Sequence, residues 1–175
     1  MTAVSGSVYT AAQFNTFVRD NLNETAPAKA TTAGGYFVTS SLNEIMERIG
    51  VNDTILTSET TSSTSYTDLA TIGPTVTTTT SNRALILWSG VITNNTADVT
   101  SRIGVEVSGA SSIPAADTAA LIYDPPTPAG VMSAAQVLFA EGLTPGSNTF
   151  TLKYKVGSGA SIGTFFNRRV IVLPY

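Results

Sequence analysis

The first apolar pattern along the chain has the period of an α-helix. Four large apolar residues recur at spacings of three or four positions: Phe14, Phe17, Val18 and Leu22. Thr10 and Gln13 stand just before them, three residues apart, which is the spacing of a capping box at a helix N-terminus. The pattern therefore predicts an amphipathic helix over 11–22 with a single apolar stripe.

A segment of small residues separates this helix from a second apolar set. Pro27 and its small neighbours in 26–35 cannot continue the helix and offer little surface for packing, which predicts a linker. Ser41 and Glu44 then have capping-box spacing, and Gly50 is placed to end a helix. The apolar residues between these signals are Leu42, Ile45, Met46 and Ile49. We expect a second helix here, about two turns long.

From residue 51 onward the apolar period falls to about 2, and short β-branched segments alternate with turn residues. These segments predict strands over 54–59, 65–70, 75–79, 84–93, 99–107, 121–124, 134–140, 148–156, 162–166 and 170–173. We expect a mainly β fold, a jelly-roll-like antiparallel β-sandwich preceded by a short helical N-terminal arm. The change of period divides the chain into an arm with its linker at 1–50 and a sandwich at 51–175.

Two of the predicted strands are apolar without interruption, at Ala84–Trp88 and Val170–Leu173. A strand of this kind is covered on both faces or lies at a contact between subunits, and the sequence leaves both alternatives open. Elsewhere, the adjacent Pro145 and Gly146 predict a tight turn. We expect this turn to join the strands at 134–140 and 148–156 as a β-hairpin.

The composition excludes several kinds of chemistry. The chain has 175 residues without His or Cys, so it cannot form a Ser-His-Asp triad, a Cys-His dyad, an ordinary zinc site or a disulfide. Only 12% of the residues are charged and the net charge is -3, which disfavours binding to nucleic acid. There is no apolar run long enough to cross a membrane and no signal-peptide pattern at the start. We expect a protein made in a cytoplasm, with no enzymatic activity and no cofactor.

Three groups of residues could carry chemistry, and each also has a structural interpretation. Glu44 and Glu47 could form a carboxylate pair or a solvated helix face. Asp117 and Asp124 could bind calcium, although no alternating Asp/Asn run accompanies them. The pair 168–169 (Arg-Arg) could grip an anion, and the alternative is a pair of edge charges that prevents sheet-to-sheet aggregation.

The apolar stripe of the first helix has to be buried somewhere, because large apolar side chains are rarely left in water as a continuous patch. It could pack on the chain's own sandwich, or on another copy or another protein. In the second case the arm is an anchor. The candidate protein-interface residues are then Phe14, Phe17, Val18, Leu22, Ile45, Met46 and Ile49.

Several segments resemble small virion structural proteins of tailed bacteriophages that infect actinobacteria. The resemblance begins at Tyr9–Ala30 and continues through Thr31–Phe37, Thr64–Leu69, Asn148–Tyr154 and Arg168–Pro174, so it spans nearly the whole chain. It departs from those proteins around Ile113–Met132. Proteins of this kind are described only as head-decoration or minor tail proteins, and they have no catalytic residues to transfer to this chain.

The resemblance implies a structural role in a particle, and we expect a capsid decoration protein, or head spike, on the virion surface. Its partners would be the major capsid protein or other virion proteins, and the sandwich would project as a homotrimer. One alternative is a minor tail, tail-tip or fibre protein that touches the host surface. Another is a carbohydrate-binding module, for which the aromatic candidates are Trp88, Tyr66, Tyr123 and Tyr36.

Overall fold

The computed structural model describes residues 8, 10–23, 25–41 and 44–175. The chain divides into two compact units, Met1–Ile49 and Gly50–Tyr175. The described part of the first unit has helical turns at Ala11–Phe14 (α), Asn15–Arg19 (π) and Asp20–Asn23 (α), which together are called the N-terminal helical segment. The predicted capping box is present, since the Thr10 hydroxyl accepts from the Gln13 backbone N–H and the Gln13 side chain accepts from the Thr10 N–H. The first predicted helix is thus confirmed.

The second predicted helix is wrong, because this part of the chain forms a β-hairpin. Strand β1 (Tyr36–Ser41) pairs antiparallel with strand β2 (Glu44–Arg48), and Val38 lies opposite Met46. Pairing across the hairpin outweighs the helical spacing of the apolar residues, which is a weak local preference. The predicted linker also begins with a short helix, Ala26–Lys29. Leu42 lies outside the described residues.

The second unit is built from nine strands among its described residues 50–175, all of them paired antiparallel. A 3-10 turn at Asp117–Ala119 precedes the eighth strand of the chain. The strands are β3 (Val51–Ile55), β4 (Glu59–Thr61), β5 (Thr75–Thr80), β6 (Arg83–Asn94), β7 (Ser101–Gly109), β8 (Leu121–Tyr123), β9 (Val131–Glu141), β10 (Gly146–Val156) and β11 (Gly163–Pro174).

These strands form two sheets, with strand orders β5-β10-β7-β8 and β3-β11-β6-β9, and β4 also pairs with β11. The antiparallel pairs are nested: β7 with β8, β6 with β9, β5 with β10, and β3 and β4 with β11. This nesting is what a long hairpin produces when it folds over into two layers, which is the jelly-roll arrangement. The expected jelly-roll-like antiparallel sandwich is confirmed.

Several strand boundaries differ from the prediction. The segment 54–59 is divided between β3 and β4, and 65–70 contributes a single bridge, between Thr67 and Tyr154. The predicted strands at 162–166 and 170–173 are one strand, β11, whose register with β6 shifts between Phe166 and Arg169. Asn167 has a φ of 50° at this shift, so the two apolar runs are separated by a bulge and not by a turn.

The predicted hairpin around Pro145 is also wrong. The segments before and after it are β9 and β10, but β9 pairs with β6 and β10 pairs with β5 and β7. The turn therefore carries the chain from one sheet to the other. The sequence predicted that these two neighbouring strands pair with each other, whereas in the jelly roll each of them pairs with strands distant along the chain.

The core lies between the two sheets and follows the alternation of the strands. In β10 every second side chain is buried, from Phe150 through Leu152 and Tyr154 to Val156. The facing sheet contributes Trp88 of β6, whose indole Nε1 donates to the Ile103 carbonyl at 3.3 Å. The two layers are thus packed by large apolar side chains with the polar indole group satisfied.

Candidate interaction surfaces

The N-terminal helical segment keeps its apolar side chains in contact with solvent. Phe14, Phe17 and Leu22 are 52%, 43% and 60% exposed, and Val18 is half-buried. Exposed aromatic and aliphatic side chains on one short helical segment are costly in water and are typical of a docking element. These four predicted interface residues are therefore available for contact with another surface.

The other three predicted interface residues lie at β2 and not on a helix. Ile45 and Met46 are adjacent in the strand, so their side chains point to opposite sides, and both are half-buried. Ile49 follows the strand and is exposed. These residues do not form the single apolar stripe that a helix would have given them.

The predicted carboxylate pair is also separated by the strand geometry. Glu47 holds the loop that precedes β1 by hydrogen bonds. Its carboxylate accepts from the backbone N–H groups of Thr31 and Thr32 and from the Thr31 hydroxyl. These hydrogen bonds, with that of the Thr31 hydroxyl first, lower the pKa of Glu47. Lys29 supports the same loop by donating to the Ile45 carbonyl at 3.1 Å.

The two outer faces of the sandwich have opposite character. One face, formed by the outward side chains of β5, β10, β7 and β8, is called the polar outer face. It is dominated by hydroxyl and charged residues: Thr75, Thr77, Thr79, Ser147, Thr149, Thr151, Lys153, Lys155, Arg102, Glu106 and Ser108. Its charges are paired, since Lys153 lies 2.9 Å from Asp68 and 3.4 Å from Glu106. These charges are therefore paired within the chain and do not require a partner protein.

Asp117 is the centre of a second charge cluster on the polar outer face. Its carboxylate accepts from Lys155 at 2.9 Å, from Arg102 and from the Tyr66 hydroxyl at 2.9 Å. Lys155 also lies over the Tyr66 ring, 4.9 Å from its centroid. Two side-chain cations already neutralise this carboxylate. The residues described contain no group of three or more potential metal ligands.

We predict a pH dependence of stability that is traceable to Asp117. The Lys155 hydrogen bond, aided by Arg102 and Tyr66, outweighs desolvation and lowers the pKa of Asp117 from 3.8 to about 2. Because the value in the fold is depressed, the stabilisation is complete above about pH 4 and is lost as the pH falls towards 2. Urea unfolding at a series of pH values should show a steeper loss in the wild type than in Asp117→Asn.

The difference between the two proteins should be about 0.5–1 kcal/mol, because solvent screens a carboxylate that is this exposed. The remaining acids titrate in both proteins and cancel in the comparison. Parallel pH profiles for the wild type and Asp117→Asn would contradict the assignment.

The opposite face, formed by the outward side chains of β11, β6 and β9, is called the apolar outer face. Its apolar members are Leu85, Leu87, Val91, Val131, Val137, Phe139, Phe166, Ile171 and Leu173. Val131, Val137 and Phe139 on the edge strand β9 are 63%, 57% and 46% exposed. The uninterrupted apolar runs seen in the sequence therefore have one side in the core and the other on this face.

The apolar outer face has a raised end and a hollow. Leu85 lies opposite Phe139, whose ring meets that of Tyr175 edge to face at 5.6 Å. Two rows further along, Ser89 lies opposite Ala135, and these small side chains leave a shallow hollow of about 170 Å³ beside Arg169. The Arg83–Glu141 ion pair lies at one end of this region, and Arg169 lies in the row of Ser89, beside the hollow.

The two arginines of β11 face opposite sides of the sheet. Arg168 is fully buried, 2.9 Å from the Glu59 carboxylate, with its guanidinium carbon 5.4 Å from the Tyr154 ring centroid. Arg169 is exposed and donates to the Thr54 hydroxyl at 3.0 Å. Because β11 is a central strand, the interpretation of this pair as edge charges is wrong, and Arg168 is turned away from any external anion.

No family model and no curated protein matches this chain by sequence. Among solved structures, the structure of infectious bursal disease virus, Gx strain, is similar over 78% of this chain and 40% of that chain, with a TM-score of 0.37 and 10% sequence identity. This chain thus corresponds to less than half the length of the viral chain.

Two of the four aromatic residues considered for sugar binding, Trp88 and Tyr66, are engaged within the fold. Trp88 is buried in the core. The Tyr66 ring packs so closely on Gly104 that a Cβ atom at position 104 would lie 2.9 Å from the ring. The Lys155 ammonium lies over the same ring, 4.9 Å from its centroid.

No helix within the described part of the chain has the length and hydropathy needed to cross a bilayer.

Sequence reasoning missed two features of these surfaces. The Glu59–Arg168 ion pair joins residues more than a hundred positions apart, and no local pattern marks it. The asymmetry between the two outer faces did have a signal: the alternation of Lys and Thr with apolar residues in 148–156 contrasts with the uninterrupted apolar runs. Assigning those runs to one outer face required the strand pairing.

Proposed function

We propose that this protein is a non-enzymatic structural component of a tailed-bacteriophage virion, a capsid decoration or head-spike protein. In this proposal the N-terminal helical segment docks on the particle and the jelly-roll sandwich projects from the surface. The observation that carries it is the exposure of Phe14, Phe17 and Leu22 on a segment that precedes, in the sequence, a sandwich without His or Cys. The resemblance to virion proteins of actinobacterial phages supplies the kind of particle.

The charged groups of the sandwich support a structural role. Glu59 is paired with Arg168, Lys153 with Asp68 and Glu106, and Asp117 with Lys155 and Arg102. For Glu59 and Asp117, hydrogen bonds and the neighbouring cations outweigh desolvation and lower the pKa, which makes both groups poor general acids at neutral pH. Such a network stabilises a surface and does not poise a proton for transfer.

The proposed partners are the major capsid protein or other virion proteins, and the proposed assembly is a homotrimer. Burial of one large apolar side chain contributes about 1.5–3 kcal/mol before ordering costs. Several such side chains per copy, repeated around a trimer, would hold it by avidity. No nucleic acid or membrane is required for this attachment.

We predict that Phe17→Asp combined with Leu22→Asp abolishes attachment to the particle. Loss of two buried apolar side chains should weaken docking by about 3–6 kcal/mol, or at least about 100-fold. Particles assembled without the protein are mixed with purified variants and sedimented, and the bound copies are counted. Truncation of residues 1–35 should have the same effect and leave a folded sandwich.

The matched control for this experiment is Ala12→Asp combined with Thr16→Asp. Both residues are exposed on the same segment, so the control adds the same charge without removing a large apolar side chain. It should bind like the wild type. Equal binding by both double variants, or unchanged incorporation after truncation, would refute the anchoring role.

Labelling on intact particles tests the proposed location. A label on the sandwich should decorate the capsid in many copies. A label confined to the tail would replace the decoration role with that of a minor tail or fibre protein.

A further inference from the structure

We propose that the apolar outer face of the sandwich is a self-association surface, and that it is covered by a second copy of this chain. The inference specifies the contact for the self-association included in the proposed function. It rests on the protein being an oligomer and not on its place in a virion. Its evidence lies entirely within Gly50–Tyr175.

The first argument is the difference between the two outer faces of one sandwich. The polar outer face is covered mainly by threonines and paired charges, and Ile122 of β8 is an exposed apolar exception. The apolar outer face presents Val137 and Phe139 to solvent, together with aliphatic side chains from the two neighbouring strands. Contiguous apolar patches of this kind mark interaction sites in soluble proteins.

The second argument is the composition and exposure of the edge strand β9. From Val131 to Ala140 this strand has no acidic or basic residue, and its one acidic residue is Glu141 at the end. Long uncharged edge strands invite pairing with other chains, and proteins that must stay monomeric usually place Lys or Pro on them. The absence of such protection on β9 is expected if the strand is covered in the assembled protein.

The third argument is shape. The raised end around Phe139 and the hollow at Ser89 and Ala135 lie on the same face, on either side of Val137. A second copy therefore offers a protrusion for the hollow and a hollow for the protrusion. This match can be made reciprocally about a two-fold axis, or in succession around a closed ring such as a trimer.

The area available is sufficient for a specific contact. With strands about 4.8 Å apart and a rise of about 3.4 Å per residue, β11, β6 and β9 present about 500 Å² per copy. A pair then buries about 1,000 Å², which reaches the lower bound for a specific protein interface. The Arg83–Glu141 ion pair lies at one end of the face, as charges at an interface rim do, and the Arg169 side chain donates to the Thr54 hydroxyl of β3 at 3.0 Å.

The first experiment measures the mass of the full chain in solution by sedimentation or light scattering. The wild type should have a multiple of the 18.2 kDa chain mass. Val137→Lys should dissociate about 100-fold more readily, because the lysine charge would be buried without a partner. Thr77→Lys places the same side chain at an exposed outward position of the polar outer face and should leave the mass unchanged.

A second readout does not depend on variants that weaken the assembly. The chain has no cysteine, so Val137→Cys introduces a single thiol. A bis-maleimide should join pairs of Val137→Cys chains but not of Thr77→Cys chains, and the mass measured in the first experiment distinguishes a dimer from a trimer. A circular dichroism spectrum equal to that of the wild type confirms that each variant is folded.

A monomeric wild type, or a Val137→Lys protein that keeps the wild-type mass, would overturn this inference. Neither result bears on attachment to the particle, which is measured separately with the variants of the N-terminal helical segment. If the variants of the N-terminal helical segment do not change attachment, the anchoring role fails, and the mass measurements still test the self-association surface independently.

Discussion

Glu59→Ala should lower the free energy of unfolding by about 3–5 kcal/mol, which is the usual cost of leaving a buried charge without its partner. Arg168 is fully buried at the bulge of β11, and Glu59 is its carboxylate partner at 2.9 Å. The Thr57 carbonyl accepts a weaker hydrogen bond at 3.3 Å and does not neutralise the guanidinium. Chemical denaturation of the wild type and the variant measures the difference.

The pKa of Glu59 is consistent with this role. Desolvation acts to raise it, but hydrogen bonds from Thr71 and the charge of Arg168 together lower it below its ordinary value. The carboxylate is therefore ionised throughout the neutral range. The loss in Glu59→Ala should accordingly be similar at every pH from about 6 to 8.

The double variant Glu59→Leu with Arg168→Met is the control. Replacing both charges by apolar side chains removes the desolvation cost along with the attraction, so this protein should regain most of the stability. The Nε of Arg168 has no hydrogen-bond partner, which adds to the cost of keeping the charge buried. A double variant no more stable than Glu59→Ala would show that packing and not charge explains the loss.

Trp88→Ala is expected to lower the free energy of unfolding by about 3–5 kcal/mol, because it leaves a large cavity between the two sheets. Trp88 is 1% exposed and packs within the core that includes Ile103 and Phe150. Ser89 is the next residue of β6 and points to the outer face. Ser89→Ala should therefore change the stability by about 0.5 kcal/mol or less.

Trp88→Phe separates packing from hydrogen bonding at the same position. It retains much of the apolar volume but leaves the Ile103 carbonyl without the indole donor. An intermediate loss of about 1–2 kcal/mol is expected. Equal losses for Trp88→Ala and Ser89→Ala would mean that the inward and outward sides of β6 have been assigned wrongly.

The N-terminal helix was predictable because its signals are local and agree with one another. The Thr10–Gln13 capping box and the apolar spacing from Phe14 to Leu22 both act within a few residues. The second predicted helix had the same kinds of signal, yet it forms β2. There the pairing of Val38 with Met46, and the Glu47 contacts with the loop before β1, supply stabilisation that the local pattern does not include.

The predicted hairpin at Pro145 failed for a related reason. A Pro-Gly pair specifies a change of chain direction, but it does not specify which strand will pair with which. In this fold β9 and β10 each find a better partner in a strand far away in the sequence, β6 for the first and β5 and β7 for the second. The nested pairing makes the sheet partners non-local throughout.

By itself, the sequence determined the chemical character of this protein and its class of fold. The absence of His and Cys, the wealth of Thr and the period-2 segments are properties of residues and of their near neighbours, and these survive in any arrangement of the strands. Only the tertiary structure decided that Arg168 lies in the core opposite Glu59, and that the apolar runs form one outer face of the sandwich. The physical reason is that both depend on register and burial, which are set by contacts between residues distant along the chain.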